Sequence, residues 1–281
     1  MKALAASNIG QYERSVLALV DYYRTVELGL AACLRKSAPV ADPVPSNGRG
    51  KDSTIAAVVF GSDQGLVGQF DDVACDLALE KLAQLQGRRL VWAVGERVHD
   101  RLADAGLAPQ ALFAVPNSAK AIGPLVSEVL LATERRTGLA EGVELHLFYN
   151  RPTSGGTYTP ASRRLLPLDE SWRRELAGFP WPTEALPEVI GGSETLRALI
   201  REYLFISLFR ACAESLAAEN ASRLAAMDRA DRNIDGLLES LHSSFNRLRQ
   251  SSIDEELFDV ISGYEAMLRG AKKPGSSSAQ V

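Results

Sequence analysis

One apolar stretch sets the fold of the central part of the chain: Thr54-Ile55-Ala56-Ala57-Val58-Val59-Phe60. The run is almost uninterrupted and rich in β-branched residues, as expected for a strand that is buried on both faces. Such strands belong to parallel sheets that carry helices on each face. The stretch therefore predicts an α/β domain at the centre of the sequence.

Alternating strand and helix patterns follow this stretch. We predict further strands at 90–94, 112–115 and 143–149, and helices at 71–86, 96–105 and 122–137. Alternation of this kind indicates a Rossmann-like, mainly parallel sheet with helices on its faces. A last strand at 158–168 is predicted to be antiparallel and to lie at the edge of the sheet. The central α/β domain is assigned to 53–170.

Helical patterns flank this domain on both sides. The N-terminal helix is predicted at 1–36, and the C-terminal helix at 193–270 with Ser193 as its N-cap. Apolar residues of the first helix follow a regular spacing of four and three, which is typical of a coiled-coil seam. These residues are Tyr12, Val16, Leu19, Tyr23, Val26, Leu30 and Cys33.

Segments rich in proline and glycine separate these parts of the chain. They predict linkers at 37–52 and 171–192, and a disordered tail at 271–281. With one helix near each terminus, we predict a long antiparallel coiled coil of the N- and C-terminal helices. At 1.5 Å per residue the first helix is about 52 Å long and the second about 110 Å. The apolar seam of the longer helix therefore needs cover from another protein.

Composition excludes several classes of function. The net charge of −4 gives no basic excess of the kind used in nucleic-acid binding. No apolar run reaches the roughly 20 residues that a membrane span needs, so we predict no direct membrane insertion. The cysteines and histidines show no ligand spacing, and we predict no metal site, no other cofactor and no catalytic constellation. The cysteines are Cys33, Cys75 and Cys212, and the histidines are His99, His146 and His242.

The glycine-containing loop after the first strand has two interpretations. Gly61, Gly65 and Gly68 follow a strand and precede a helix, an arrangement that can hold a phosphate. The loop lacks the lysine of a P-loop and does not match GxGxxG, so a tight structural turn is favoured. Asp63 is interpreted as a cap or turn former rather than a metal ligand or an acid–base residue.

Three segments of the chain are similar to motifs of one known family. They are Met1–Ser7, Ser62–Phe70 and Glu219–Met227, and the third match continues without a gap to Gly263. The third is the most specific, because it follows the family pattern Glu-x-x-x-Arg-Met-x-Ala-Met. On these motifs the chain resembles the gamma subunit of F-type ATP synthases, and the order of its elements fits that family over nearly its whole length.

The resemblance implies a rotor subunit that is not itself an enzyme. In this family the paired terminal helices form a central stalk inside a hexamer of alpha and beta subunits. The α/β domain lies against the epsilon subunit and the membrane c-ring. Rotation of the ring, driven by ion transport, is transmitted through the stalk to the beta subunits, where ATP is made. The implied location is peripheral, on the cytoplasmic face of the bacterial inner membrane.

The resemblance also implies a set of subunit-contact residues. By family position, Arg249 and Gln250 bond acidic and polar groups of a beta-subunit loop, since a guanidinium pairs well with carboxylates. Asp254 stands where the family has threonine, which changes the local charge. The other contact positions carried over from the same motif are Arg223, Met227, Asn233 and Glu256.

The N-terminus departs from the family pattern, which has a longer segment before the position of Met1. We therefore expect Met1 to be an internal methionine with the true start upstream, and divergence at several motif positions suggests a second-copy form of the enzyme. Two other functions stay open: a nucleotide-binding α/β enzyme with helical arms, and an unrelated coiled-coil scaffold. The first predicts acid–base residues in a pocket at the strand ends. The second leaves the motif matches unexplained.

Overall fold

The computed structural model describes residues 2–36, 54–138, 143–153, 157–168 and 192–271. The predicted linkers and tail lie outside these residues, apart from Gly192 and Ala271, which begin and end the last helix. The predicted domain boundaries stay predictions, because they fall in those segments. By its contacts the chain divides into two compact units, Met1–Met227 and Asp228–Val281.

A five-stranded sheet forms the centre of the first unit. Its strands are β1 (Thr54–Phe60), β2 (Arg88–Val94), β3 (Ala111–Phe113), β4 (Val143–Thr153) and β5 (Thr157–Leu166). The spatial order is β3-β2-β1-β4-β5. The first four strands are parallel, whereas β5 pairs antiparallel with β4 at the edge. The predicted mainly parallel sheet and its antiparallel edge strand are thus confirmed.

Six helices occur in the described part of the chain. They are α1 (Lys2–Ala18), α2 (Val20–Lys36), α3 (Phe70–Ala83), α4 (Glu96–Asp104), α5 (Ala119–Thr137) and α6 (Gly192–Ala271). Helix α6 has 80 residues and contains no proline, which agrees with the long C-terminal helix expected from the sequence. The described elements therefore alternate as predicted, with boundaries that differ by a few residues.

The N-terminal helix is interrupted at Leu19, in contrast to the single helix predicted. The Leu19 N–H donates to the Val16 carbonyl oxygen at 3.2 Å, and the Tyr23 N–H donates to the Leu19 carbonyl oxygen at 2.8 Å. A bond that spans three residues tightens the turn relative to an α-helix and separates α1 from α2. The apolar seam continues on both sides of the break, since Tyr12 and Leu30 are both buried.

Strand β1 is buried on both faces, as its apolar run predicts. Ala56, Val58 and Phe60 face one side of the sheet and pack in a core that includes Leu30 of α2 and Ile206 of α6. Ile55, Ala57 and Val59 face the other side of the sheet and pack in a second core against α3 and α4. Because side chains alternate between the faces of a strand, only a continuous apolar sequence can fill both cores.

The terminal helices of the first unit run antiparallel. The Tyr22 hydroxyl donates to Glu202 Oε2 at 2.8 Å. Further along α2, Gly29 lies so close to Leu199 that an added Cβ would be 3.1 Å from its Cδ2. The residue number rises from 22 to 29 along α2, while the number of the contacted residue on α6 falls from 202 to 199. The two helices are therefore antiparallel. The helix pair packs on one face of the sheet and leaves the other to α3 and α4.

Candidate subunit-contact site

The loop between β1 and α3 is held in place by hydrogen bonds from its own side chains. The Asp63 carboxylate accepts the backbone N–H of Glu96 at 3.1 Å and that of Val115 at 2.8 Å. The Asp71 carboxylate accepts both the N–H and the hydroxyl of Ser62, each at 2.7 Å. Asp63 thus ties the loop to the start of α4 and to the segment after β3. These bonds agree with the structural-turn interpretation of the loop.

Gly61 is required in this loop by close packing. A Cβ at this position would lie 1.9 Å from Val98 Cγ2 and 2.7 Å from Asp71 Oδ1. The neighbouring Gly95 has a φ of 114°, and its Cβ would lie 2.8 Å from the Ser62 carbonyl oxygen. Both glycines therefore let the loop approach α4 closely. Their presence needs no bound phosphate to explain it.

The position at which open α/β sheets bind ligands is filled by protein in this chain. Ligands of such sheets bind at the carboxyl ends of the strands where the strand order reverses, here between β1 and β4. At that point Phe70 and Asn150 are fully buried, and Asn150 Nδ2 donates to the Phe70 carbonyl oxygen at 2.7 Å. The Ser222 hydroxyl of α6 donates to the Val67 carbonyl oxygen at 2.6 Å. This packing gives the nucleotide-binding alternative no support.

A buried ion pair on α6 lies beside the same loop. Glu219 is 4 % exposed, and Arg223 Nη2 donates to its Oε1 at 2.6 Å. The same nitrogen is 3.5 Å from the carbonyl oxygen of Gln64. Burial raises the pKa of Glu219 to about 7, even though Arg223 acts to lower it. The predicted contact residue Arg223 therefore has an internal role, which is to join α6 to the loop.

A cleft of about 270 Å³ opens next to this ion pair. Its walls come from α1, the loop after β1 and α6, and both Arg223 and Met227 line it. Leu4 of α1 also lines the cleft and is largely exposed. The structure thus brings two of the predicted contact residues together at one end of the antiparallel helix pair.

Leu66 is a strained and exposed residue of the same loop. Its φ is 63°, a left-handed conformation that costs a leucine roughly 1 kcal/mol. Its side chain is 68 % exposed, so packing within the chain does little to offset this cost. Backbone strain of this kind concentrates at functional sites, which makes Leu66 a candidate contact residue. The sequence signals Leu66 only as one position of a motif, because strain depends on the backbone conformation.

The second unit contains residues 228–271 of α6 and exposes a long apolar stripe. Its large apolar side chains are all more than two-fifths exposed and recur at helical spacing. They are Ile234, Leu237, Leu238, Leu241, Phe245, Leu248, Ile253, Leu257, Phe258, Val260, Ile261, Tyr264, Met267 and Leu268. An exposed apolar surface of this extent marks a protein–protein contact.

Five of the predicted contact residues lie on the second unit and are exposed: Asn233, Arg249, Gln250, Asp254 and Glu256. At about 3.6 residues per turn, Arg249 and Glu256 share one side of the helix, and Gln250 and Asp254 share another side, more than a quarter turn away. Arg249 lies four residues from both Phe245 and Ile253 and so borders the apolar stripe. Asn233 lies roughly on the opposite side from Arg249. The helix therefore presents these residues on different sides, with Arg249 near Glu256 and Gln250 near Asp254.

Arg249 makes no ion pair within the described residues. The residues three and four positions away along the helix are Phe245, Asn246, Ser252 and Ile253, and none of them is acidic. Ion pairs on a helix surface form at those spacings. The Arg249 guanidinium is therefore available to an acidic group on another molecule.

The described residues contain neither a helix that could span a membrane nor a cluster of metal-ligating side chains. None of the described helices combines the length and the apolar character needed to cross a bilayer. Within the same residues, His, Cys, Asp and Glu side chains nowhere form a group of three or more that could hold a metal ion.

The fold and the exposed stripe define a class of protein. Its members have an α/β domain packed against antiparallel terminal helices, and the C-terminal helix presents a contact surface. A family model described as ATP synthase matches residues 1–267. The chain therefore belongs to the ATP synthase family, and the resemblance to gamma subunits is confirmed by its relatives.

Two curated relatives match over nearly the whole chain. The ATP synthase gamma chain of Granulibacter bethesdensis is 29 % identical over 281 residues, which cover 95 % of this chain and 92 % of the relative. The ATP synthase gamma chain of Clavibacter sepedonicus is also 29 % identical, over 95 % of this chain and 91 % of the relative. That of Syntrophus aciditrophicus reaches 36 % identity over 132 residues, or 45 % of this chain and 43 % of the relative.

Solved structures with the same fold come from ATP synthase assemblies. A chain of the Euglena gracilis mitochondrial ATP synthase OSCP/F1/c-ring structure has a TM-score of 0.61 and 14 % identity, covering 98 % of this chain and 100 % of that one. A chain of the Tetrahymena thermophila mitochondrial central stalk and c-ring structure has a TM-score of 0.56 and 19 % identity, covering 82 % and 97 %. At these identities the similarity establishes the fold.

Proposed function

We propose that the chain is the central rotor subunit of an F-type ATP synthase. In this role it couples ion-driven rotation of a membrane ring to conformational changes in catalytic beta subunits. The apolar stripe on residues 228–271 carries the proposal. An isolated helix is marginally stable in water, and an uncovered apolar side makes it a contact surface. A ring of subunits that surrounds the helix would cover the stripe in every orientation of the helix.

The chain supports catalysis in this proposal without taking part in the chemistry. Each orientation of an asymmetric helix presents different residues to a given beta subunit. It therefore stabilises one conformation of that subunit more than another, and rotation shifts the equilibrium in sequence. The internal hydrogen bonds of Asp63 and Asp71 support a non-catalytic role, because they engage the carboxylates of the loop after β1.

The proposed partners divide between the two units. Alpha and beta subunits would surround the exposed part of α6, and the epsilon subunit and the c-ring would contact the α/β domain. The chain would then be peripheral, at the cytoplasmic face of a bacterial inner membrane. The relatives support this assignment, since they are named ATP synthase gamma chains.

Assembly with the partners tests the proposed function. The chain is produced together with the alpha and beta subunits encoded in the same genome, and the purified complex is assayed for ATP hydrolysis. We expect the three proteins to co-purify and to hydrolyse ATP, whereas this chain alone is inactive. Failure to co-purify, or turnover of a substrate by the isolated chain, would contradict the proposal.

Arg249→Ala is expected to lower ATP synthesis by the assembled enzyme by roughly tenfold, because a charge-assisted hydrogen bond to a beta subunit is lost. The isolated variant should stay folded, since Arg249 makes no ion pair within the described residues. Circular dichroism of the chain and ATP synthesis in membrane vesicles measure the two effects. Arg229→Ala, another exposed arginine of the same helix, is the matched control. Equal synthesis by both variants would refute the proposed contact.

A further inference from the structure

One arginine of the edge strand joins the sheet to both terminal helices. Arg163 lies on β5, and its Nη2 donates to the hydroxyl of Tyr23 at 3.1 Å. The same nitrogen is 3.4 Å from the hydroxyl of Tyr203. Tyr23 belongs to α2 and Tyr203 to α6, and their rings lie 6.1 Å apart. One guanidinium therefore contacts both members of the antiparallel helix pair.

The surroundings of Arg163 strengthen these contacts, of which the one to Tyr23 is the shorter. The side chain is half-buried, and Leu165, on the same side of β5, is fully buried in the core between the sheet and the helices. Burial raises the pKa of Tyr23 to about 12, so its hydroxyl stays neutral and can accept the bond. A charged hydrogen bond in such a low-dielectric site is stronger than the same bond in water.

A second arginine of the same hairpin reinforces the attachment. Arg151 of β4 donates from its Nε to Glu214 Oε2 of α6 at 3.3 Å, and its Nη2 donates to the Tyr149 hydroxyl at 3.0 Å. Glu214 is nearly buried and also accepts Arg210 Nε at 2.7 Å. The β4–β5 hairpin is thus attached to α6 at two heights along the helix.

The remaining contacts between the α/β domain and α6 are largely apolar, apart from the Ser222–Val67 hydrogen bond, the Arg223–Gln64 contact and the Arg201–Glu134 ion pair. Apolar contacts depend on the area removed from water, so they change little when one surface slides slightly over another. Hydrogen bonds weaken steeply once their distance or angle departs from the optimum. The arginine contacts of β4 and β5 are therefore among the interactions that resist sliding of the sheet along the helices, and Arg163 contacts both helices at once.

We propose that Arg163 is a positioning residue of the rotor, which fixes the α/β domain to both terminal helices so that rotation of the domain is transmitted to α6 without slip. This inference rests on the proposed function. It assigns to the first unit a mechanical contact that is separate from the subunit-contact residues of the second unit.

The test uses the fully assembled enzyme in membrane vesicles. Arg163→Met keeps the apolar stem and removes the donors, and Arg163→Lys keeps the charge but not the planar fork. For each variant, respiration-driven ATP synthesis and ATP hydrolysis are measured in the same vesicles and divided by the amount of assembled enzyme. Arg164→Met is the matched control, because the neighbouring arginine points to the opposite side of the strand and is exposed.

We expect the ratio of synthesis to hydrolysis to fall by roughly twofold or more in Arg163→Met and less in Arg163→Lys, and to stay unchanged in Arg164→Met. A residue that only stabilises the fold would reduce the amount of assembled enzyme and both activities in proportion. An unchanged ratio in Arg163→Met would therefore overturn the inference.

A second variant decides the question if Arg163→Met does not assemble. The double change Tyr23→Phe and Tyr203→Phe keeps both rings and removes both acceptors, and its ratio should also fall. An unchanged ratio in that variant would overturn the inference while leaving the proposed function intact. Failure of the wild-type chain to assemble would overturn the proposed function, and the inference with it.

Discussion

The Glu219 carboxyl is the most strongly perturbed acid of the described residues. It lies 4 % exposed on α6, and burial raises its pKa from the ordinary 4.5 to about 7. Because the folded pKa exceeds the unfolded one, the protonated form contributes stability. That contribution is complete below pH 4.5 and is lost as the pH rises through 7.

Glu219→Gln should therefore make stability less dependent on pH. Between pH 5 and pH 8 the wild-type free energy of unfolding should fall by up to about 3 kcal/mol from this group, and the variant should lack that fall. Urea unfolding at the two pH values measures the difference. Glu239→Gln, at an exposed position of the same helix, serves as the control. Parallel pH dependences for wild type and Glu219→Gln would contradict the prediction.

Leu66→Gly should stabilise the isolated chain by about 1 kcal/mol, because glycine adopts the positive φ without strain and the exposed leucine loses little packing. Leu66→Ala keeps the unfavourable conformation and should give no gain. Thermal or urea unfolding measures both variants. A destabilised glycine variant would show that Leu66 makes contacts within the chain that outweigh its strain.

At the scale of elements, the interior of α6 contains two glycines, Gly236 and Gly263, for which the described residues show no packing reason. A Cβ at Gly236 or at Gly263 would meet no atom within 4 Å. Glycine in the interior of a helix is less favourable than alanine by roughly 1 kcal/mol. These positions therefore lower the stability of the exposed helical segment.

Gly236→Ala should slow hydrogen exchange of the amides around residue 236 by roughly fivefold, since it stabilises the helix by about 1 kcal/mol without a clash. Gly61→Ala is the contrasting control, because its Cβ would lie 1.9 Å from Val98 Cγ2. That variant should lower the unfolding free energy of the α/β domain. Faster exchange in Gly236→Ala would show that the helix is not the stable form of this segment.

The whole molecule consists of two units that differ in how they are stabilised. The first has two apolar cores around a sheet, whereas the second exposes its large apolar side chains. Cooperative stability requires a shared core, so the first unit should not depend on the second.

A chain that ends after Met227 should therefore fold but fail to assemble. Its thermal unfolding should remain cooperative, because the cores around the sheet are complete without residues 228–281. It should not co-purify with alpha and beta subunits, because the exposed stripe and Arg249 are missing. Loss of cooperative unfolding would show that the first unit needs the second, and normal assembly would contradict the proposed role of the stripe.

The described strands and helices could be predicted because their signals are local. The apolar run of β1, the prolines and glycines between elements and the regular spacing of the helices each span only a few neighbouring residues. The break at Leu19 was missed, since neither glycine nor proline marks it. The family motif predicted the contact residues, and that stays a prediction; it did not indicate that Arg223 is held internally by Glu219.

The sequence alone determined the order and type of the elements, because each is encoded by residues close together in the chain. It also indicated the family through motifs that are continuous in sequence. Only the tertiary structure decided that Arg163 meets Tyr23, 140 residues away, and Tyr203, 40 residues away. No local pattern encodes such a contact, since it forms only when the edge strand and both terminal helices pack together.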